Sequence, residues 1–74
     1  MIIKKIRFAD YSFRGSYDKI TAGYQQLTDG INEWYEKNQD VEIVSVNVDH
    51  EQVTQARLSV VFTARICYIE EHVV

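Results

Sequence analysis

Apolar residues recur every third or fourth position between residues 17 and 38, which is the spacing of one face of an α-helix. Ser16 precedes the first of them and is a suitable N-cap, because its hydroxyl can accept a hydrogen bond from a free helix N–H. Asn38 is expected to end the helix in the left-handed conformation. The pattern predicts one long helix, whose apolar positions are Tyr17, Ile20, Tyr24, Leu27, Ile31 and Trp34.

Alternation of apolar and polar residues predicts three strands, at residues 2–8, 41–48 and 57–69. In the first strand we expect Ile6 and Phe8 to contact the core. In the second strand the alternation predicts a shared face for Val44, Val46 and Val48. In the third strand it predicts that the following residues face the helix: Leu58, Val60, Phe62, Ala64, Ile66 and Tyr68.

The remaining residues read as connections. Residues 9–16 are expected to join the first strand to the helix, residues 49–56 to form a hairpin loop, and residues 70–74 to be a frayed tail. A helical crossover makes the first two strands parallel, and a short link makes the last two antiparallel. The third strand has the longest apolar alternation, so we place it in the centre and predict the strand order 1-3-2. The chain is then a single two-layer α+β domain of β-α-β-β order, spanning residues 1–74, with the helix on one face of the sheet.

Self-association is expected from the small size of the chain. Its 74 residues bury only about 60–65 % of the unfolded surface, and chains of this size usually gain stability from disulfides, a metal or a second copy. Cys67 is the only cysteine, which excludes a disulfide within the chain. We therefore predict a homo-oligomer.

Two features of the sequence suggest where the copies meet. Gly23 and Gly30 lie within the helix, at a cost of about 1 kcal/mol each relative to alanine. They indicate a close approach, either to the sheet or, as we favour, to the helix of a second copy. Several large apolar residues fall on the sheet face opposite the helix, where a solvated face has few. The predicted interface residues are Gly23, Gly30, Val61, Cys67 and Ile69.

Charge and composition limit the possible partners and locations. The net charge is −3, and no long basic stripe is present, so a nucleic-acid partner is not expected. The apolar runs are too short to span a membrane, and the N-terminus lacks the apolar segment of a signal peptide. A lone cysteine suits the reducing cytoplasm, which is the expected location.

No residue pattern indicates a catalytic or metal centre. His50, His72 and Cys67 are not spaced as metal ligands, and the sequence indicates no base that would activate Cys67. Glycine-rich phosphate loops are absent. We therefore expect neither enzymatic activity nor a metal or cofactor.

The start of the helix is the one candidate ligand site. Arg14, Gly15 and Ser16 would place a guanidinium and free backbone N–H groups at the positive end of a helix, where an anion binds well. Aromatic residues nearby would stack on a flat ligand such as a nucleotide. In the simpler interpretation, which we favour, Ser16 only caps the helix, Arg14 is solvated and the aromatics close the core. The aromatics are Tyr11, Phe13 and Tyr17, and Arg57 and Arg65 are further candidates to reach the site.

Three segments resemble a known group of proteins. Residues 30–38, 41–46 and 60–68 read GINEWYEKN, VEIVSV and VVFTARICY. They resemble the small sporulation-associated β-α-β-β proteins of Gram-positive bacteria and related phage proteins, from which the chain differs in residues 9–16 and in its longer helix. The resemblance implies a cytosolic bacterial or phage protein of unassigned activity, and it transfers no functional residues. The element order is also similar to that of dodecin, a flavin-storing dodecamer, but no matching binding motif is present.

Two functions remain open. The chain is expected to be a small oligomeric, non-enzymatic protein that acts through protein–protein contacts. The alternative is a module that sequesters a small anionic nucleotide or cofactor between subunits, which in a phage would suit counter-defence.

Overall fold

The computed structural model describes residues 1–53 and 58–74. The elements are β1 (Ile2–Ser16), a short 3-10 turn (Tyr17–Lys19), α1 (Ile20–Lys37), β2 (Glu42–Gln52) and β3 (Ser59–Val73). The sheet order is β1-β3-β2, both outer strands are antiparallel to β3, and α1 packs on one face against β1 and β3. The predicted α+β fold of β-α-β-β order is confirmed. The end of the predicted hairpin loop and the predicted first residue of the third strand, Arg57, lie outside the described residues.

The first strand is about twice as long as predicted. Residues 9–16 form the second half of β1 instead of a connection, and they pair without interruption with β3, from Ala9 opposite Ile66 to Ser16 opposite Ser59. The predicted frayed tail is also wrong, because residues 70–73 pair with residues 2–5. The ladder of β1 and β3 is longer than that of β2 and β3. β2 starts opposite Ile69, so residues 70–73 of β3 pair with β1 only.

Ile6 and Phe8 lie on the opposite face of the sheet from the one predicted. Side chains of a strand alternate between faces, and Phe13, which stacks on Phe62 of the core, directs the odd-numbered residues of β1 toward α1. Ile6 and Phe8 therefore point away from α1 and are 68 % and 58 % exposed. Their predicted core contacts are wrong.

A β-bulge changes the phase of β2. The register shifts between Ile43, opposite Tyr68, and Ser45, opposite Cys67, so Val44 has no partner in the ladder. One extra residue in a strand reverses the alternation beyond it. Ile43, Val46 and Val48 all pair with inward-facing residues of β3. The bulge thus places Ile43, which strict alternation would put on the opposite face, on the same face as Val46 and Val48, and it interrupts the predicted row of valines at Val44.

The core is formed mainly by the central strand. Its fully or almost fully buried side chains are Leu27 from α1 and Val60, Phe62, Ala64 and Ile66 from β3. The inward phase predicted for β3 is thus confirmed at these four positions. It fails at Leu58, which lies before the strand and is 58 % exposed.

The two helix glycines allow α1 to lie close to the sheet of its own chain. The ring of Phe62 occupies the space into which a Cβ at Gly23 would project, and a Cβ at Gly30 would lie 3.0 Å from the ring of Tyr11. The close approach is therefore to the sheet, and the second helix that the sequence analysis favoured is not needed to explain either glycine.

Both helix ends differ from their predicted form. The helical segment starts with the 3-10 turn, and Tyr17 is 51 % exposed instead of packing on the helix face. The Ser16 hydroxyl caps no backbone N–H. It donates instead to the carboxylate of Asp18, and this hydrogen bond lowers the pKa of Asp18. At the other end Asn38 has a φ of −135° and is not left-handed; its side-chain amide donates to the Trp34 carbonyl at 2.8 Å.

Candidate interaction surface

The sheet face opposite α1 is covered by none of the described residues. The side chains on it are those that alternate away from α1 on all three strands, and we call it the open face. Near the start of β1 its residues are mainly apolar. Ile6 pairs with Ile69 and Phe8 pairs with Cys67 across the same ladder. These four residues form a contiguous group, because neighbouring same-face positions along a strand are about 7 Å apart. We call this group the apolar patch.

The apolar patch contains two of the predicted interface residues. Cys67 and Ile69 lie in it and are partly buried. Val61 is on the same face, but six residues from Cys67 along β3, which is about 20 Å. Gly23 and Gly30 lie on the other side of the sheet, against aromatic rings. The structure therefore divides the predicted interface residues between two surfaces.

A double hydrogen bond borders the patch on one side. Arg65 donates from Nε to one carboxylate oxygen of Asp10 at 2.8 Å and from a terminal nitrogen to the other at 3.2 Å. These bonds lower the pKa of Asp10 and raise that of Arg65. The guanidinium carbon also lies 5.2 Å from the ring centroid of Phe8. The planar guanidinium is thus held beside the exposed aromatic ring.

A second ion pair borders the patch on the other side. Lys4 Nζ lies 3.8 Å from a carboxylate oxygen of Glu71, and both side chains are largely exposed. The patch is therefore flanked by two pairs of opposite charge. The charges at both borders already have partners of opposite sign. The free-energy cost of removing water from them is therefore lower when another surface covers the patch.

The molecule exposes more surface than is usual for its mass. Its accessible surface is 5734 Å², whereas a compact monomer of this mass exposes about 4,700 Å². Its Cα radius of gyration is 15.2 Å, against about 11 Å for a compact chain of this length. Elongated strands and one uncovered sheet face account for the difference.

The six residues proposed as a ligand site do not converge. Tyr11 and Phe13 face α1, where the Phe13 ring stacks on Phe62 at 5.1 Å between centroids. Arg14 points to the open face, where it is exposed opposite Val61. A guanidinium and stacking aromatics on opposite faces of one strand cannot hold the same small ligand within one copy.

The other three candidates have local structural roles. A Cβ at Gly15 would lie 2.7 Å from the Phe62 ring, so the glycine makes room for the core. The Tyr17 backbone N–H donates to the Leu58 carbonyl at 2.7 Å, and Ser16 bonds to Asp18. Ligand binding at the start of the helix thus remains a prediction that would need groups from another copy.

A hollow of about 280 Å³ lies on the helix side of the sheet. Its walls include Tyr11, Ile31 and Trp34, together with Glu33 and Lys37. The last two side chains pair with each other at 3.1 Å. Of the six residues proposed as a ligand site, Tyr11 alone lines it.

Sequence reasoning missed a contact between α1 and β2. The Tyr24 hydroxyl lies 2.5 Å from His50 Nδ1, and both rings lie close to Phe62. His50 was assigned to a loop because the residues from Asp49 to Gln52 are all polar. In the structure it lies in β2 opposite Phe62 and closes one end of the core.

In the part of the chain that the structure describes, no three His, Cys, Asp or Glu side chains gather as metal ligands would. None of the described helices has the length and apolar character needed to cross a membrane. Comparison with protein-family models, curated proteins and solved structures found no match. The resemblance to sporulation-associated and phage proteins therefore stays a prediction.

Proposed function

We propose that this chain is a non-enzymatic interaction module that assembles with further copies of itself, with the open face as its main contact. The observation that carries the proposal is the exposure of Ile6 and Phe8, 68 % and 58 %, in a patch continuous with Cys67 and Ile69. Exposed contiguous apolar groups of this kind are typical of interaction sites.

The dimensions of the molecule support a face-to-face arrangement. A stable protein–protein interface buries about 800 Å² on each partner. The two longest dimensions of the chain are 53 and 21 Å, which leaves a sheet face large enough for such an interface. Two sheets that pack face to face lie about 10 Å apart. The proposed pair has four layers, with the helices outside and the two apolar patches between the sheets.

The proposed setting is the cytoplasm of a bacterium or of a phage-infected bacterium. Cys67 is a free, partly exposed thiol in the apolar patch. A thiol in such a position is compatible with a reducing compartment, where it does not oxidise readily.

Replacement of Phe8 by aspartate tests the proposal. Native mass spectrometry and sedimentation should give a multiple of 8.7 kDa for the wild-type chain and a smaller species for Phe8→Asp. A second carboxylate beside Arg65, which already bonds to Asp10, is costly to bury and opposes the contact. Tyr35→Asp is the matched control, since Tyr35 is a 49 % exposed aromatic on α1, which lies on the other side of the sheet from the open face. An unchanged mass for Phe8→Asp, or a wild-type monomer at high concentration, would contradict the proposal.

A further inference from the structure

Both outer strands of the sheet have a long free edge. β1 has 15 residues and β2 has 11, and no described strand lies beyond either of them. Natural proteins usually protect such edges with lysines, bulges or covering segments. Here the protection is confined to one end: Lys4, Lys5 and Arg7 in β1, and the bulge at Val44 in β2. Residues 8–16 and 45–52 form regular edges without a lysine or a bulge, and their charged residues are Asp10, Arg14, Asp49 and Glu51.

The two edges carry opposite charge. β1 has four basic residues and one acidic residue, and β2 has three acidic residues and no lysine or arginine. Pairing β1 with another β1, or β2 with another β2, would place like charges side by side, which is unfavourable. Pairing β2 of one copy with β1 of the next brings opposite charges together.

The register across the sheet aligns these charges. Val61 of β3 pairs with Arg14 of β1 on one side and with Glu51 of β2 on the other. All three side chains therefore lie in one row on the open face. Among the described residues, neither Arg14 nor Glu51 has an ion-pair partner, and both are exposed. A second copy displaced sideways along this row would place its Arg14 beside Glu51 of the first.

We propose that copies of this chain join edge to edge, with β2 of one copy parallel to β1 of the next and Glu51 paired with Arg14 across the joint. The strand directions fit this arrangement, because β1 and β2 are both antiparallel to β3 and therefore run the same way. The proposal rests on the proposed self-assembly but uses a different surface from the apolar patch.

The spacing of the helices supports edge pairing. Copies related in this way repeat every three strands, about 14 Å, and a helix with its side chains is about 10–12 Å wide. The helices then form a nearly continuous layer over the joined sheet. That layer helps to cover Val46 and Val48, which α1 of their own chain leaves 43 % and 46 % exposed.

Parallel strand pairs are found mostly in sheets that are covered on both faces. The joint would add one such pair per copy to a sheet whose other pairs are antiparallel. In the proposed assembly the helices supply one cover and the face-to-face contact supplies the other. Since the joined edges are different, the contact is heterologous, and the assembly either closes as a ring or continues as a filament.

Charge reversal across the joint tests this proposal. Arg14→Glu and Glu51→Arg should each reduce the wild-type assembly to a species no larger than a face-to-face pair, which has twice the 8.7 kDa mass of the chain. The double variant restores the opposite charges and should recover the wild-type mass. Lys5→Glu is the matched control on the same strand, since Lys5 pairs with Glu70 of β3, which lies beyond the start of β2. Native mass spectrometry at low ionic strength is the readout.

The outcomes separate the two contacts. If the single reversals keep the wild-type mass, or if the double variant does not restore it, edge pairing is wrong, whatever Phe8→Asp does. If Phe8→Asp lowers the mass while the single reversals do not, the face contact alone is supported. If the single reversals lower the mass and the double variant restores it while Phe8→Asp has no effect, edge pairing is supported and the open-face proposal fails. A monomeric wild-type chain overturns both.

Discussion

The ring of Phe62 fills the space that a side chain at Gly23 would occupy, and Tyr24 meets the same ring edge-on at 5.6 Å. Two consecutive residues of α1 thus adjoin one core aromatic ring: Gly23 leaves room for it, and Tyr24 packs against it. Gly23 is buried for the same reason. The close packing at Gly23 offsets the cost of a glycine inside a helix.

We expect Gly23→Ala to destabilise the fold. Overpacking a core costs about 1–3 kcal/mol, while alanine returns about 1 kcal/mol of helix propensity, so the clash with Phe62 should outweigh the gain. Gly30→Ala is the control, because its nearest neighbour, Tyr11, is 42 % exposed and free to move. Urea unfolding at a fixed protein concentration measures both. A Gly23→Ala variant as stable as the wild type would show that the Phe62 ring moves at little cost.

The single cysteine gives an independent measure of whether the open face is covered. Cys67 is partly exposed in one copy and lies in the apolar patch. If the patch is buried in the assembly, a thiol reagent must wait for dissociation, so labelling should be slower in the wild type than in Phe8→Asp by about tenfold or more. Both proteins should react at the same rate when unfolded in urea. Equal rates in the folded proteins would mean that the patch is not covered.

The Asp10–Arg65 pair makes a pH-dependent contribution to stability. Hydrogen bonding to Arg65 lowers the pKa of Asp10 below the 3.8 of a free aspartate. A carboxyl group with a lowered pKa stabilises the fold above its unfolded pKa, and the contribution disappears as the pH falls through the folded value. The wild type should therefore melt higher than Asp10→Asn at pH 7, and the difference should shrink below about pH 3.8. The difference is expected to be small, because both side chains are exposed.

Thermal melts at pH 7 and pH 3 give the two differences. Asp18 also has a lowered pKa, but it is present in both proteins, and its effect cancels in the comparison. A difference in melting temperature that is the same at both pH values would show that ionisation of Asp10 does not contribute.

The central strand was predictable because its alternation is unambiguous. Val60, Phe62, Ala64 and Ile66 occupy every second position and face the core. In β1 apolar residues occur on both faces, so a local pattern does not determine which face is inward. The phase is determined by distant packing of Phe13 against Phe62. This is why Ile6 and Phe8, the most exposed part of the apolar patch, were assigned to the core.

The candidate surface was predictable only where it depends on the central strand. Cys67 and Ile69 follow from the same alternation that identifies the core. The row formed by Arg14, Val61 and Glu51 depends on two strand registers, one of which is shifted by the bulge after Ile43. The segment around that bulge, with Ile43, Val44 and Val46, reads as one regular strand in the sequence. Nothing in the order of residues shows the extra residue.

Ionic strength should affect the two proposed contacts differently. The Debye length falls from about 10 Å at 0.1 M salt to about 3 Å at 1 M, so attraction between the exposed edges weakens. Burial of the apolar patch is not reduced by screening. In 1 M sodium chloride the wild type should therefore shift from the edge-joined assembly toward face-to-face pairs, as measured by sedimentation. The exchanged variant, with Arg14→Glu and Glu51→Arg together, should show the same shift, and each single variant should show none. Dissociation of the wild type to single chains in high salt would mean that charge also holds the faces together, and an unchanged mass would mean that charge does not hold the edges.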